Sequence, residues 1–323
     1  MVIYKQHHSL GDGVSCISFH LAHGDGYDLS SLIPIKKVTF IQTMILRLSF
    51  PLYVPGIILK QFFVKQDINP LNDGVKELSG KKRVGTTSDL LFKDIKAAAK
   101  QQGVTINDLI TAAVASAVKQ YFKQKGDNET NKINIVIPAN IRFQHYETVE
   151  QIKFENKFAA IPLIIPLEED MQKSLKEITK VTSVLRTKFF ETYAMYALSY
   201  YFSMFTPYFA QNWFILQNSK PYTLAFSNTP GLLKPLVAEN GKKSRMMTSY
   251  IIASGKTGIA LSAISYVDYF KISCLADEAV LKEPQSLIDL IEKNLKKCYS
   301  QDPYKSDTGG QESVESTPKK QVD

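Results

Sequence analysis

His7-His8-Ser9-Leu10-Gly11-Asp12-Gly13 separates a stretch that reads as a strand, residues 2–8, from a helix beginning about Val14. Neighbouring side chains on a strand point to opposite faces, so one of the two histidines can face a given cavity while the other packs or hydrogen-bonds behind it. Gly11 and Gly13 permit backbone conformations that a side chain would forbid. Asp12 can hold a nearby cation or backbone donors, fixing the loop that carries the histidines. Beyond the turn, Val14, Ile17 and Leu21 fall on one helical face.

From Val38 to Val64 the chain is apolar, with Arg47 and Lys60 its only charges. Pro51 and Pro55 interrupt it, which predicts two short helices. Residues 66–88, rich in Asn, Gly, Lys and Pro, read as a linker. A helix is expected near Lys93–Gln102, closed by Gly103. In the next, Thr105 caps, Asp108 completes an approximate capping box, and Ile106, Leu109, Ile110, Ala113, Val114, Ala117 and Tyr121 keep helical spacing.

Ile133–Pro138 and Phe158–Leu167 read as buried strands, followed by a helix over Met171–Lys188. Thr192–Ser219 carries no charge, ten aromatic residues and Pro207. That composition suits a partly exposed helix pair of interfacial character better than a membrane span. Strands are expected at Tyr222–Ser227, Met247–Ala253 and Ile259–Tyr266, then a helix after Pro284 with Leu287, Ile288, Ile291 and Leu295 inward. Beyond Ser300 no hydrophobic pattern remains, and disorder is expected. Strands and helices alternate without a strict parallel rhythm, so the fold class is a layered α/β fold with a mixed sheet.

With 323 residues and 44% hydrophobic content, a sizeable core is available. The formal charge is +8, and residues 301–323 are acidic on balance, so the body is more basic still. Such a balance favours anionic partners: phosphate-bearing molecules or membrane surfaces. No Arg-rich block or zinc-finger spacing supports nucleic acid. Cys16, Cys274 and Cys298 lie far apart without a C-x-x-C, in keeping with a reducing compartment.

Imidazole, titrating near about 6.5, suits a base that accepts a hydroxyl proton as an ester forms. If a thioester were the donor, its acyl group would already be activated and no enzyme nucleophile required; no G-x-S-x-G elbow is present. His20 and His23 read as a solvated pair rather than metal ligands, and His145 as a surface residue. Gly255-Lys256-Thr257 lacks the earlier glycine of a phosphate loop. No metal site is expected.

His7, His8, Asp12 and Gly13 resemble the H-H-x-x-x-D-G signature of the wax ester synthase/diacylglycerol acyltransferase family, a signature shared across CoA-dependent acyltransferases and condensation domains. Thr105-Ile-Asn107-Asp108, Pro138-Ala-Asn-Ile-Arg142, Glu155-Asn156-Lys-Phe, Ser227-Asn228-Thr229-Pro230-Gly231, Ser265-Tyr266 and Ala276-Asp277 resemble its later motifs, in family order. The resemblance implies a two-lobed CoA-dependent acyltransferase-like fold with mixed sheets and a tunnel between lobes. It also implies transfer of a fatty acyl group from acyl-CoA, a co-substrate with no bound cofactor, to a long-chain alcohol or diacylglycerol. His8 would be the general base beside His7, and Asp12 structural. Gly13, Asn107 and Asp108 would support the site, and Ser227 and Asn228 would line it.

Family members carry a substantial segment before the histidine motif, so an incomplete first lobe is expected. Residues 1–65 would be its remainder, 66–88 the linker, 89–300 the C-terminal acyltransferase lobe and 301–323 the tail. Expected partners are acyl-CoA, the acceptor lipid, and a membrane or lipid-droplet surface. The place of work would be the cytoplasmic side of the endoplasmic reticulum or plasma membrane, or a lipid droplet. Two alternatives stand beside this: a truncated, non-catalytic lipid or acyl-CoA binding remnant of the same family, and a condensation-type domain acting on carrier-bound thioesters.

Overall fold

The structure, a computed structural model, describes residues 2–23, 27–35, 38–74, 77–237 and 241–300. The disorder expected beyond Ser300 lies outside the described residues. Two helices come first, α1 (Gly13–Ala22) and α2 (Phe40–Phe62). Next come β1 (Lys82–Thr86), β2 (Leu90–Leu91), α3 (Phe92–Gln101), α4 (Ile106–Gln124), β3 (Lys132–Asn140) and β4 (Phe158–Pro166). The rest is α5 (Met171–Thr187), α6 (Phe189–Phe205), α7 (Tyr208–Ser219), β5 (Leu224–Thr229), β6 (Ile259–Tyr266), β7 (Tyr269–Asp277) and α8 (Pro284–Ser300).

The strands form one mixed sheet in the order β1-β7-β6-β5-β3-β4, with β2 also on β7. β3, β5 and β6 run parallel, while β1, β4 and β7 pair antiparallel with their neighbours. The C-terminal ends of β3 and β5 therefore share one edge of the sheet, and that edge meets the start of α1.

Helix α4 is the centre of the core. Every residue from Asp108 to Val118 is buried, and Ala112, Ala113, Ala115 and Ala117 let its backbone approach its neighbours closely. Its first turn has the expected reciprocal cap: Asp108 N donates to Thr105 Oγ1 at 3.2 Å and Thr105 N to Asp108 Oδ2 at 3.0 Å. Leu261, Ala263, Ile272 and Cys274 face the same core as α4, α5 and α8. By strand alternation Ser262 and Tyr266 face the other side, where Ser249 Oγ lies 2.5 Å from Ser262 Oγ.

Several expectations need correction. Residues 2–8 form no strand: no ladder reaches them among the described residues, and the segment is held by side chains, the Tyr4 ring lying 4.2 Å from that of His20. Met247–Ala253 is likewise no strand: it meets β6 and β7 through side chains, with Ser249 bonded to Ser262 and Ser273. Among the described residues the first 65 contribute helices and no strand, and the strands that follow form one mixed sheet within the expected α/β class.

Pro51 and Pro55 do not split α2, which runs unbroken through both. Both prolines are exposed, so water can satisfy the carbonyls they release, and a Thr39–Gln42 capping box secures the start. Within the stretch read as a linker, Asp67 Oδ2 accepts from Thr223 Oγ1 at 2.6 Å and Lys82–Thr86 is an edge strand. The break at Pro207 falls as expected, between α6 and α7.

Candidate active site

Asp12 is the N-cap of α1, and its carboxylate is fully committed. Oδ1 accepts from Ser15 N at 3.0 Å, and Oδ2 accepts from Arg142 Nη1 at 2.7 Å and Lys157 N at 2.8 Å. Its own N–H donates to Glu155 O at 3.2 Å. The second arm of Arg142, Nη2, donates to Ser15 Oγ at 2.9 Å and Glu155 O at 3.1 Å. Both charged side chains are buried, at 3% and 8% exposure. Burial by itself would lower the Arg142 pKa, but the bond and charge of Asp12 outweigh it and raise it.

Arg142 lies just past the end of β3, and Glu155-Asn156-Lys157 leads into β4. Two strand ends thus grip the histidine-bearing loop. An outer set of bonds steadies them: Tyr146 OH donates to Glu155 Oε1 at 2.9 Å and Tyr27 OH to Tyr146 O at 2.8 Å. His145, expected on the surface, is half-buried and its Nε2 lies 2.8 Å from Ile33 O.

The loop itself presents the histidines. Asn156 Nδ2 donates to the His8 carbonyl at 2.9 Å, and the His8 ring lies 5.9 Å from that of Phe158. His7 has its Nδ1 2.7 Å from Ser9 Oγ and 3.2 Å from Ser9 N, within a turn closed by Leu10 N to His7 O at 3.0 Å. A turn, not the end of a strand, therefore carries the two imidazoles. Both are exposed, and the Phe158 ring is the apolar neighbour of His8.

The remaining expected residues divide. A Cβ on Gly13 would sit 3.4 Å from Thr229 Cγ2 and Oγ1, so the start of α1 is seated on the end of β5. Asn228 Nδ2 hydrogen-bonds Asn107 Oδ1, joining that strand end to the start of α4. Ser227 Oγ lies 3.3 Å from Thr229 Oγ1, and Ser227 is buried. Asp108 points inward, accepting from Thr105 N and from Thr182 Oγ1 at 2.5 Å. It ties α4 to α5. His20 is half-buried beside Tyr4 rather than solvated, and burial, then the charge of His23, lowers its pKa.

The later turn is architectural. A Cβ on Gly231 would fall 1.7 Å from Ser265 O, a backbone approach only glycine allows. Tyr266 OH accepts from Leu236 N at 2.7 Å and donates to Ser244 O at 3.2 Å, wholly buried.

Arg142, Glu155 and Asn156 belong to motifs legible in the sequence, but their partners were not. One signal was available: an arginine immediately after an apolar strand needs a counter-charge if the strand end is buried. Nothing local pointed to Ser15, Tyr27 or Tyr146.

The chain is similar to known proteins in part of its sequence and in its fold. Residues 155–298 match the model of the WS/DGAT C-terminal domain. The O-acyltransferase WSD of Acinetobacter baylyi is 21% identical over 201 residues, 61% of this chain and 42% of the relative. The chain thus spans less than half the length of the curated relatives it matches. The wax ester synthase/diacylglycerol acyltransferase of Marinobacter aquaeolei shares the fold, with a TM-score of 0.51 and 19% identity, over 78% of this chain and 56% of that one. So does the epimerization domain from the third module of tyrocidine synthetase B, with a TM-score of 0.56 and 16% identity, over 91% and 67%.

Proposed function

Because residues 155–298 match the WS/DGAT C-terminal domain, we propose that this chain acts in an O-acyltransferase reaction that moves a fatty acyl group from acyl-CoA to a long-chain alcohol or diacylglycerol, working at a membrane or lipid-droplet surface on its cytoplasmic side. His8 accepts the hydroxyl proton while the alcohol oxygen attacks the thioester carbonyl. The tetrahedral intermediate collapses, the carbon–sulfur bond breaks, and the imidazolium returns its proton to the departing thiolate. No covalent enzyme intermediate is needed, because the thioester already supplies the activation.

The observation that carries this reading is the convergence of two distant motifs on the histidine loop. Asp12, Arg142 and Glu155-Asn156 lock the backbone of His8–Gly13 to two strand ends, while Gly13 seats the end of that loop against Thr229 of β5. A base must be held in register with its substrate, and a single Asn156 bond to the His8 carbonyl leaves the imidazole free to act. Asp12 acts through the loop as a positioning residue.

Radiolabelled acyl-CoA with a long-chain alcohol or diacylglycerol tests the proposal. Transfer is expected from the parent chain, and His8→Ala should lower it by about a hundredfold or more while His7→Ala keeps most of it. Equal turnover by parent and His8→Ala removes His8 from the mechanism. The exposure of His8 favours one second reading, a lipid or acyl-CoA binding remnant, which predicts acyl-CoA binding with no turnover in parent or variant.

A further inference from the structure

Helices α6 and α7 fold back on each other at Thr206-Pro207, and the turn of this hairpin is built the wrong way round for water. Its large side chains face outward: Phe205, Tyr208 and Phe209 are 75%, 81% and 76% exposed, and Trp213 is 63% exposed. Several of its backbone groups are satisfied from within. The last carbonyls of a helix ordinarily look to solvent, but here Gln211 Nε2 donates to Ser203 O at 2.9 Å and Thr206 O at 2.6 Å. The N–H groups of Ala210 and Gln211 both reach Pro207 O. Phe202 against Phe214, 4.7 Å between ring centres, closes the hairpin. A turn with bonded polar groups and exposed rings loses little on leaving water and gains by covering its aromatic surface.

The face continues along α2, which packs on α6 through Phe50 against Tyr201 and through a 2.6 Å Lys60–Glu191 ion pair. Leu48 and Leu52 on it are 72% and 81% exposed. Across residues 38–66 and 188–219 the charges are Arg47, Lys60, Lys65 and Lys188 against Glu191, so the surface is apolar, aromatic and cationic together. A lipid surface carrying negative headgroups is complementary to all three properties.

We propose that the α6–α7 turn, with the exposed flank of α2, docks onto an anionic lipid bilayer and rests at headgroup depth. By length and composition α2 could cross a membrane, but the chain on either side of it is tied to the same body. Leu32 bridges Leu232 before it, and Asp67 N donates to Pro221 O after it. Both ends held on one body place α2 along the surface rather than through it. The proposal deepens the lipid-surface reading above and rests on it, yet vesicle binding is read without turnover, so the two fail separately.

Trp213 is the chain's one tryptophan and reports on the face directly. Titrated with vesicles of phosphatidylcholine mixed with phosphatidylserine, the full chain should show a blue-shifted emission, quenched best by lipids brominated near the headgroup. Pure phosphatidylcholine should give weaker binding, and added salt should weaken the mixed case. The double variant F205S/F209S should lose vesicle partitioning by about tenfold or more while keeping the parent's circular dichroism and unfolding midpoint, since both rings lie in solvent. A missing shift, or a double variant that binds as the parent does, overturns the proposal. So does a blue shift that grows with protein concentration without vesicles, which would give the face to a second copy of the chain. Quenching strongest from the ends of the acyl chains would indicate a span and overturns it as well.

Discussion

Asp12 and Arg142 are a pair of opposite charges removed from water 130 positions apart in the chain. Their mutual attraction matters less than the cost of losing either one, because the survivor stays buried without a counter-charge. Asp12→Asn should therefore lower the unfolding free energy by about 3–5 kcal/mol, read by urea or thermal unfolding. Arg142→Lys should rescue little, since the guanidinium serves Asp12 with one arm and Ser15 and Glu155 with the other. His8→Ala, at an exposed position, should leave the midpoint close to the parent's. An Asp12→Asn protein as stable as the parent would mean that the loop is held by something other than this pair. At this scale the sequence named the histidines and Asp12 but not what Asp12 holds. Asp108 shows the same limit: its capping role was legible from Thr105, whereas its bond to Thr182 depends on where α5 packs.

Strand β7 ends in Asp277, a wholly buried carboxylate that organises the segment read as a linker. It accepts from Ser79 N at 2.9 Å, Ser79 Oγ at 2.8 Å and Gly80 N at 2.9 Å, and pairs with Lys82 Nζ at 3.1 Å. Burial pushes its pKa up, but the bonds from Ser79, Ala279 and Lys82 outweigh that and hold it well below the usual carboxylate range. A depressed folded-state pKa stabilises the fold above the unfolded-chain value, about 3.9, and that contribution drains away as pH falls toward the folded value. The stability gap between parent and Asp277→Asn should be steady near neutral pH and shrink below about pH 4, measured by urea unfolding across a pH series. A gap independent of pH would deny the carboxylate this role. The unbroken helix across Pro51 and Pro55 belongs to this scale too. Proline signals a missing hydrogen bond, but whether the helix ends there depends on whether the freed carbonyls reach water and whether a neighbour such as α6 braces the far side.

Across the whole molecule, stability is unevenly spread. The core joins α3, α4, α5 and α8 to one face of the sheet, whereas residues 2–10 have no ladder and are largely exposed. Hydrogen exchange should find the slowest amides in α4 between Leu109 and Val118, and fast exchange over residues 2–10; slow exchange at the histidine loop would show that its side-chain bonds order it as firmly as the core. The residue order by itself determined the helix and strand periods, the Thr105 cap, the break at Pro207 and the loop that carries His8, because each arises from short-range sterics and from which faces must be buried. Only the tertiary structure decided that Arg142 meets Asp12, that Asn107 meets Asn228 across 121 positions, and that residues 2–8 and 247–253 are not strands. Burial of apolar surface has no direction of its own, so the partner of a polar group and the occupancy of a sheet edge are settled when the packed elements close on one another.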